Sequence, residues 1–236
     1  MNRIQYLLTI GILATATAWI AGCKKDNYKS ADARIYGTVV DETTGQPVPA
    51  QAVNGAKIRV SQLDYSSAAP VPQLSSVKPD GTYENAAIFS GRYEVSATGP
   101  FYPVKPAVVT ISGNQQLDIK VKPFLLVTAT VGEVTGNSIT VKYVVKSNAN
   151  AQQIARVAAV AGTTAGVDVN YYLQRIVVNT EAIDNTTIGN TTYTAVFTDL
   201  KPGTTYFIRA AGRTVTSADN PSSLFNYTPV MEIKTK

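Results

Sequence analysis

Along much of the chain, apolar and polar residues alternate one for one. Leu117, Ile119 and Val121 are interleaved with Asp118, Lys120 and Lys122. Ile139, Val141, Tyr143 and Val145 are interleaved with Thr140, Lys142 and Val144, and Ile58 and Val60 with Lys57, Arg59 and Ser61. A period of two places every second side chain on one face of an extended backbone, so each run predicts a strand with one buried face. Turn-forming groups separate the runs: Pro79-Asp80-Gly81, Ser112-Gly113-Asn114, Gly136-Asn137 and Lys201-Pro202-Gly203. Short strands at this spacing predict an all-β chain of sandwich type. No stretch sustains a 3.6-residue period. Residues Asn150 to Ala161 (NAQQIARVAAVA) read either as an alanine-rich helix or as a buried strand, and the pattern does not choose between them.

The runs fall into two groups. A strand ends at Val121, and a new apolar run (FLLVTATV) starts at Phe124, which places a boundary near Lys122-Pro123. Residues 31–122 and 123–236 are each long enough for a sandwich to bury its own core. Within the first, Asp80-Gly81 reads as the closure of a hairpin. Residues 64–76 (DYSSAAPVPQLSS) lack strand character and read as a long inserted loop.

Residues 1–22 read as a targeting segment rather than as fold. Arg3 is the only charge before Lys24, and the run from Ile4 to Ile20 is apolar. At 17 residues that run is at the lower limit for an uncleaved membrane span. It ends in Ile20-Ala21-Gly22-Cys23, with the single cysteine of the chain immediately after two small residues. This resembles the bacterial lipobox. The resemblance implies a diacylglyceryl thioether on Cys23, cleavage after Gly22 and acylation of the new amino group. Two or three acyl chains give stable membrane attachment, where one alone would be marginal. Residues 23–30 would then be a lipidated tether. Its three lysines against one aspartate suit anionic headgroups.

Composition narrows the chemistry. The chain has 236 residues, no histidine, one cysteine and a formal net charge of +5. A Ser–His–Asp or Cys–His nucleophile and any histidine metal ligand are therefore excluded. The carboxylates Asp41, Glu42, Asp80, Asp118, Asp168 and Asp184 are dispersed and read as turn formers or solvated charges, so no catalytic pair for glycoside cleavage emerges. No phosphate-cradling glycine motif or calcium loop is present. Neither enzymatic activity nor a cofactor is expected. The excess positive charge is partly on the tether: residues 31–122 hold eight basic and eight acidic residues, and residues 123–236 hold nine and seven. No clustered basic face is visible, so nucleic acid is not an expected partner.

Two further resemblances concern the domains. Arg34 to Ala56 (RIYGTVVDETTGQPVPAQAVNGA), followed by Lys78 to Tyr83 (KPDGTY) and Ser90 to Val95 (SGRYEV), resembles the carboxypeptidase regulatory-like, or transthyretin-like, β-sandwich. Thr198 to Gly212 (TDLKPGTTYFIRAAG) resembles the fibronectin type III signature. This second resemblance implies that Tyr206 is a tyrosine-corner residue whose hydroxyl bonds back to nearby backbone. The order of lipobox, transthyretin-like domain and fibronectin-like domain resembles an uncharacterised family of Bacteroidota lipoproteins. Its members are associated with outer-membrane glycan-uptake systems of the starch-utilisation type. That implies a lipid-anchored outer-membrane protein, facing the cell exterior. Its expected partners are a glycan, a TonB-dependent transporter and that transporter's glycan-binding lipoprotein.

Loops on a sandwich carry function while strands carry packing, and tyrosine rings can stack on sugars. Candidate ligand-binding residues in loops or at strand ends are Tyr65, Tyr102, Tyr171, Tyr172 and Tyr227, with Phe101 and Phe225 beside them. The alternative role for each is core or strand-pair packing; Phe101-Tyr102 in particular reads as a cap on the first sandwich. The alternative for the whole protein is a structural spacer or pilus-like assembly subunit. Pro229 to Lys236 (PVMEIKTK) reads as an ordinary final strand rather than a free donor strand.

Overall fold

The structure is a computed structural model that describes residues 30–64, 71–148, 152–216 and 223–236. The expected signal peptide, the lipidation site Cys23 and the candidate Tyr65 lie outside these residues. Ala31 to Lys236 is one compact unit, and it is built almost entirely from β-strands packed as sandwiches.

The first sandwich contains β1 (Ala33–Asp41), β2 (Lys57–Gln62), β3 (Gln73–Ser76), β4 (Thr82–Ile88), β5 (Gly91–Thr98), β6 (Ala107–Ile111), β7 (Asn114–Gln116) and β8 (Ile119–Val121). One sheet has the order β4-β1-β7, with β8 also on β1, and the other has the order β3-β2-β5-β6. β1 alternates between buried and half-buried residues along its whole length. Ile35 and Val39 of β1 enter a core with Ile58, Tyr83, Tyr93 and Ile111.

β1 changes partner midway, pairing in parallel with β7 through Tyr36 and with β8 from Val39. Leu117 and Asp118 bridge the change, with the Leu117 N–H donating to the Tyr36 carbonyl and the Thr38 N–H donating to the Asp118 carboxylate. This brings the Leu117 backbone against Gly37, where a Cβ would lie 2.1 Å from the Leu117 carbonyl oxygen. Only glycine fits a crossing this close.

The second sandwich contains β9 (Leu125–Val134), β10 (Ile139–Ser147), β11 (Ile154–Gly162), β12 (Gln174–Asn179), the short helix α1 (Asn185–Asn190), β13 (Tyr193–Phe197), β14 (Thr205–Thr214), β15 (Asn226–Tyr227) and β16 (Met231–Lys234). Its sheets have the orders β13-β10-β9 and β12-β11-β14-β15, with β16 also on β14. The two sheets thus have three and five strands. The Tyr206 hydroxyl accepts the Lys201 N–H at 2.9 Å, which closes the implied tyrosine corner. Ile139, Val141, Tyr143, Ile154, Phe197 and Ile208 form part of the core between the sheets.

Several local expectations are corrected. Asn150 to Ala161 resolves to a strand where it is described: β11 pairs with both β12 and β14. It is buried on both faces, so it has no polar alternation to distinguish it from a buried helix. The loop expected over 64–76 ends in a strand, β3. This four-residue strand pairs only with β2 and buries only Ser75, which leaves no apolar alternation to read. The turn at Asp80-Gly81 does close, with the Gly81 N–H donating to the Lys78 carbonyl and φ at +86°. However, β3 and β4 belong to different sheets, so the turn carries the chain between sheets instead of making a hairpin. Asp184 is the N-cap of α1, its carboxylate accepting the Thr187 N–H at 2.9 Å.

Candidate functional site: a tyrosine loop at the junction of the sandwiches

Residues 163–173 connect β11 to β12 and fold back over the outer face of their sheet. Val167 and Val169 of this segment bury against Ala158 and Val160 of β11, Ala211 of β14 and Tyr227. A second small core therefore lies outside the second sandwich, and it is why β11 and β14 are buried on both faces. The segment then turns tightly. The Asp168 N–H donates to the Tyr171 carbonyl at 2.8 Å, and the Asp168 carboxylate accepts the N–H groups of Asn170 and Tyr171 at 2.8 and 2.9 Å. The Leu173 N–H donates to the Ala161 carbonyl, and β12 starts at the next residue.

This turn projects side chains outward in succession. Tyr171 is 64% exposed, Tyr172 44% and Leu173 54%. The Arg175 guanidinium lies 4.6 Å from the centre of the Tyr172 ring and donates to the Val169 carbonyl at 2.7 Å. A cation over one ring and a bonded turn beneath both residues restrict the loop before any ligand arrives. Such preorganisation lowers the entropic cost of binding. Two exposed phenol rings on a fixed backbone can stack on a sugar ring and hydrogen-bond its hydroxyls.

The other candidates are placed differently. Tyr102 packs edge-on against Phe124 at 5.0 Å, with its hydroxyl donating to the Asn148 carbonyl at 3.2 Å. It follows Phe101, which is buried in the first core, yet packs against the second. The pair therefore joins the two sandwiches rather than capping the first. Tyr227 is 4% exposed. Its hydroxyl accepts the Val169 N–H at 3.2 Å and donates to the Gln51 side chain at 3.3 Å. It presents no open face for a sugar to stack on. Phe225 is half-buried, its ring 6.2 Å from that of Tyr227 and 5.8 Å from the Arg213 guanidinium.

Charged groups that look dispersed in the sequence meet at this junction. Asp168 and Arg209 are fully buried, contrary to the expectation of a solvated Asp168. The Asp168 carboxylate also accepts the Ala52 N–H of the first sandwich at 2.9 Å. Arg209 donates to the carbonyls of Thr228 at 3.0 Å and Ala50 at 2.9 Å, and its guanidinium stacks 4.1 Å from the Tyr227 ring centre. Burial pushes the Arg209 guanidinium down to about 10, against the opposing influence of Tyr227 and Asp168. The only local signal for this residue is its position. Arg209 interrupts the apolar run Tyr206-Phe207-Ile208 and Ala210-Ala211, where a solvated charge is out of place.

A cleft of about 990 Å³ lies beside the loop, between the sandwiches. Its walls are largely apolar and include Pro47, Ala52, Leu126, Gly166, Tyr227 and Pro229, while Lys78 and Asp80 also line it. Burial tends to raise the Asp80 carboxyl, but hydrogen bonds from Thr82 and the Lys78 charge outweigh it and keep the group below its ordinary value. Among the described residues, no group of three or more acidic or cysteine side chains could hold a metal ion.

Comparison with known proteins supports the fold. No curated protein matches the chain. A DUF3823 family protein from Bacteroides uniformis superposes with a TM-score of 0.74 at 22% identity, covering 87% of this chain and 100% of its own. A second B. uniformis protein, described as a "putative carbohydrate binding protein", has a TM-score of 0.72 at 25% identity, covering 86% and 99%. A DUF3823 family protein from Parabacteroides merdae gives 0.70 at 18%, covering 87% and 100%. Residues 33–122 match the model of the N-terminal domain of DUF3823, a protein of unknown function. The chain is therefore similar to the DUF3823 family over that first sandwich.

Proposed function

We propose that the protein is a non-catalytic lipoprotein of the cell envelope, and that the loop bearing Tyr171 and Tyr172 binds glycan. One observation carries this reading: two adjacent tyrosines are held exposed on a turn whose backbone is already fixed by Asp168 and Arg175. The carbohydrate-binding description of the B. uniformis relative at 25% identity supports the same ligand class. The near balance of charge over residues 31–236 favours an uncharged or weakly charged glycan over a polyanion.

In this reading Cys23 carries the lipid anchor. The protein sits in the outer membrane, facing outward, as an accessory to a TonB-dependent transporter and its glycan-binding lipoprotein. A strand-donating assembly subunit is the weaker alternative, because β16 is already paired with β14 over four residues. Affinity electrophoresis of the wild type, Tyr171→Ala and Tyr172→Ala through gels containing neutral polysaccharides tests the reading. Retardation of the wild type that is lost in both variants supports it. Equal mobility of all three proteins in every polysaccharide rejects it.

A further inference from the structure

Three consecutive residues of the first sandwich are each gripped by a buried side chain of the second. Arg209 holds the Ala50 carbonyl, the Tyr227 hydroxyl holds the Gln51 side chain, and Asp168 holds the Ala52 N–H. Two of the same side chains hold the tyrosine loop with their remaining capacity. Asp168 accepts the N–H groups of Asn170 and Tyr171, and the Tyr227 hydroxyl accepts that of Val169. The contacts to Gln51 and Ala52 and to the loop thus share the same two side chains.

We infer that Asp168 is the positioning residue of the tyrosine loop, and that residues 50–52 of the first sandwich are a structural part of the surface displaying Tyr171 and Tyr172. A fully buried carboxylate is costly unless every lone pair it directs inward is matched. Asp168 meets that condition with three backbone donors, two from the loop and one from the first sandwich. If Ala52 withdraws, one oxygen loses its buried donor, and water must enter to solvate it. The entering water then competes for the two loop amides on the other oxygen. Gln51 adds a second link through Tyr227 to Val169. Loop order and sandwich docking are therefore coupled, and the coupling is reciprocal: a ligand that selects the ordered loop also tightens the junction.

This inference uses the proposed ligand loop but does not depend on what the loop binds, so its test reads loop order directly. Hydrogen exchange by mass spectrometry on the full chain compares the wild type with Asp168→Asn and with Gln51→Ala. The second variant changes only the first sandwich. Asp168→Asn is expected to speed exchange across peptides covering 167–173 by about tenfold or more, the equivalent of weakening hydrogen bonds to a charged group, and Gln51→Ala by about threefold or more, the equivalent of losing one neutral hydrogen bond. Peptides from β10 should keep the wild-type rate. Should Asp168→Asn fail to fold, Gln51→Ala decides alone. Wild-type exchange at 167–173 in Gln51→Ala, or acceleration spread equally over β10, overturns the inference. Accelerated loop exchange in a protein that binds no glycan would sustain the coupling and reject only the proposed ligand.

Discussion

At the scale of single residues, burial decides which polar groups matter. Tyr83, Tyr143 and Tyr227 are almost fully buried, and burial raises the hydroxyl of each. For Tyr143 the group is pushed up to about 12, chiefly by burial and secondarily by nearby Tyr193. In the unfolded chain it ionises near its ordinary value of 10.0, so the unfolded state loses its proton first. Its stabilising contribution is complete below about pH 10 and is lost as the pH rises through about 12. Arg209, lowered to about 10, acts in the opposite sense, because the folded state releases its proton first. Three tyrosines outweigh one arginine, so stability should fall over this range. Tyrosinate absorbance and circular dichroism followed together should show some tyrosines ionising only as structure is lost. If every tyrosine titrates near pH 10 in a chain that stays folded, the burial assignments are wrong. Gly37→Ala is a separate residue-scale test. Its Cβ meets backbone, which cannot move aside as a side chain could. A loss of about 1–3 kcal/mol or more is expected in chemical denaturation, and an unchanged midpoint would contradict the close crossing at Leu117.

At the scale of elements, legibility followed from how many faces of a strand are buried. β2, β8 and β10 bury one face, and their alternation could be read directly. β11 buries both faces because residues 163–173 cover its outer side, so Ile154 to Ala161 looked as much like helix as strand. β3 buries almost nothing and was read as loop. The exposed tyrosines were identifiable by residue type and by their place between strands. The tie of their turn to the first sandwich was not, because Asp168 meets Ala52, 116 residues away. Arg209 was likewise missed, although a charge inside an apolar run was its visible mark. Tyr206→Phe tests the one corner that the sequence did announce. It removes the acceptor for the Lys201 N–H and should cost about 1 kcal/mol by denaturant titration. Tyr171→Ala alters a side chain that is 64% exposed, so its stability should stay within about 0.5 kcal/mol of wild type. A larger loss would mean that Tyr171 serves packing rather than ligand display.

At the scale of the whole molecule, the two sandwiches have separate cores but a shared polar junction. The Asn226 side chain adds to it, accepting the Leu125 N–H at 3.1 Å and donating to the Pro100 carbonyl at 2.9 Å. Separating the sandwiches would take from Asp168, Arg209 and Asn226 their partners in the first sandwich, Ala52, Ala50 and Pro100, and unmatched buried polar capacity of this kind is costly. Calorimetry of the full chain is therefore expected to show one cooperative transition. Two resolved transitions would show that the junction does not couple the domains. The sequence suggested two neighbouring sandwiches, whereas the structure joins them through the segment that presents the tyrosines. The central claim is that this presented surface binds glycan. Titration calorimetry of the full chain against a panel of neutral oligosaccharides tests it most directly. Saturable binding by the wild type, abolished in the stably folded double variant Tyr171→Ala/Tyr172→Ala, is the predicted result. Binding that survives intact in the double variant, or its absence from the wild type across the panel, would contradict the claim.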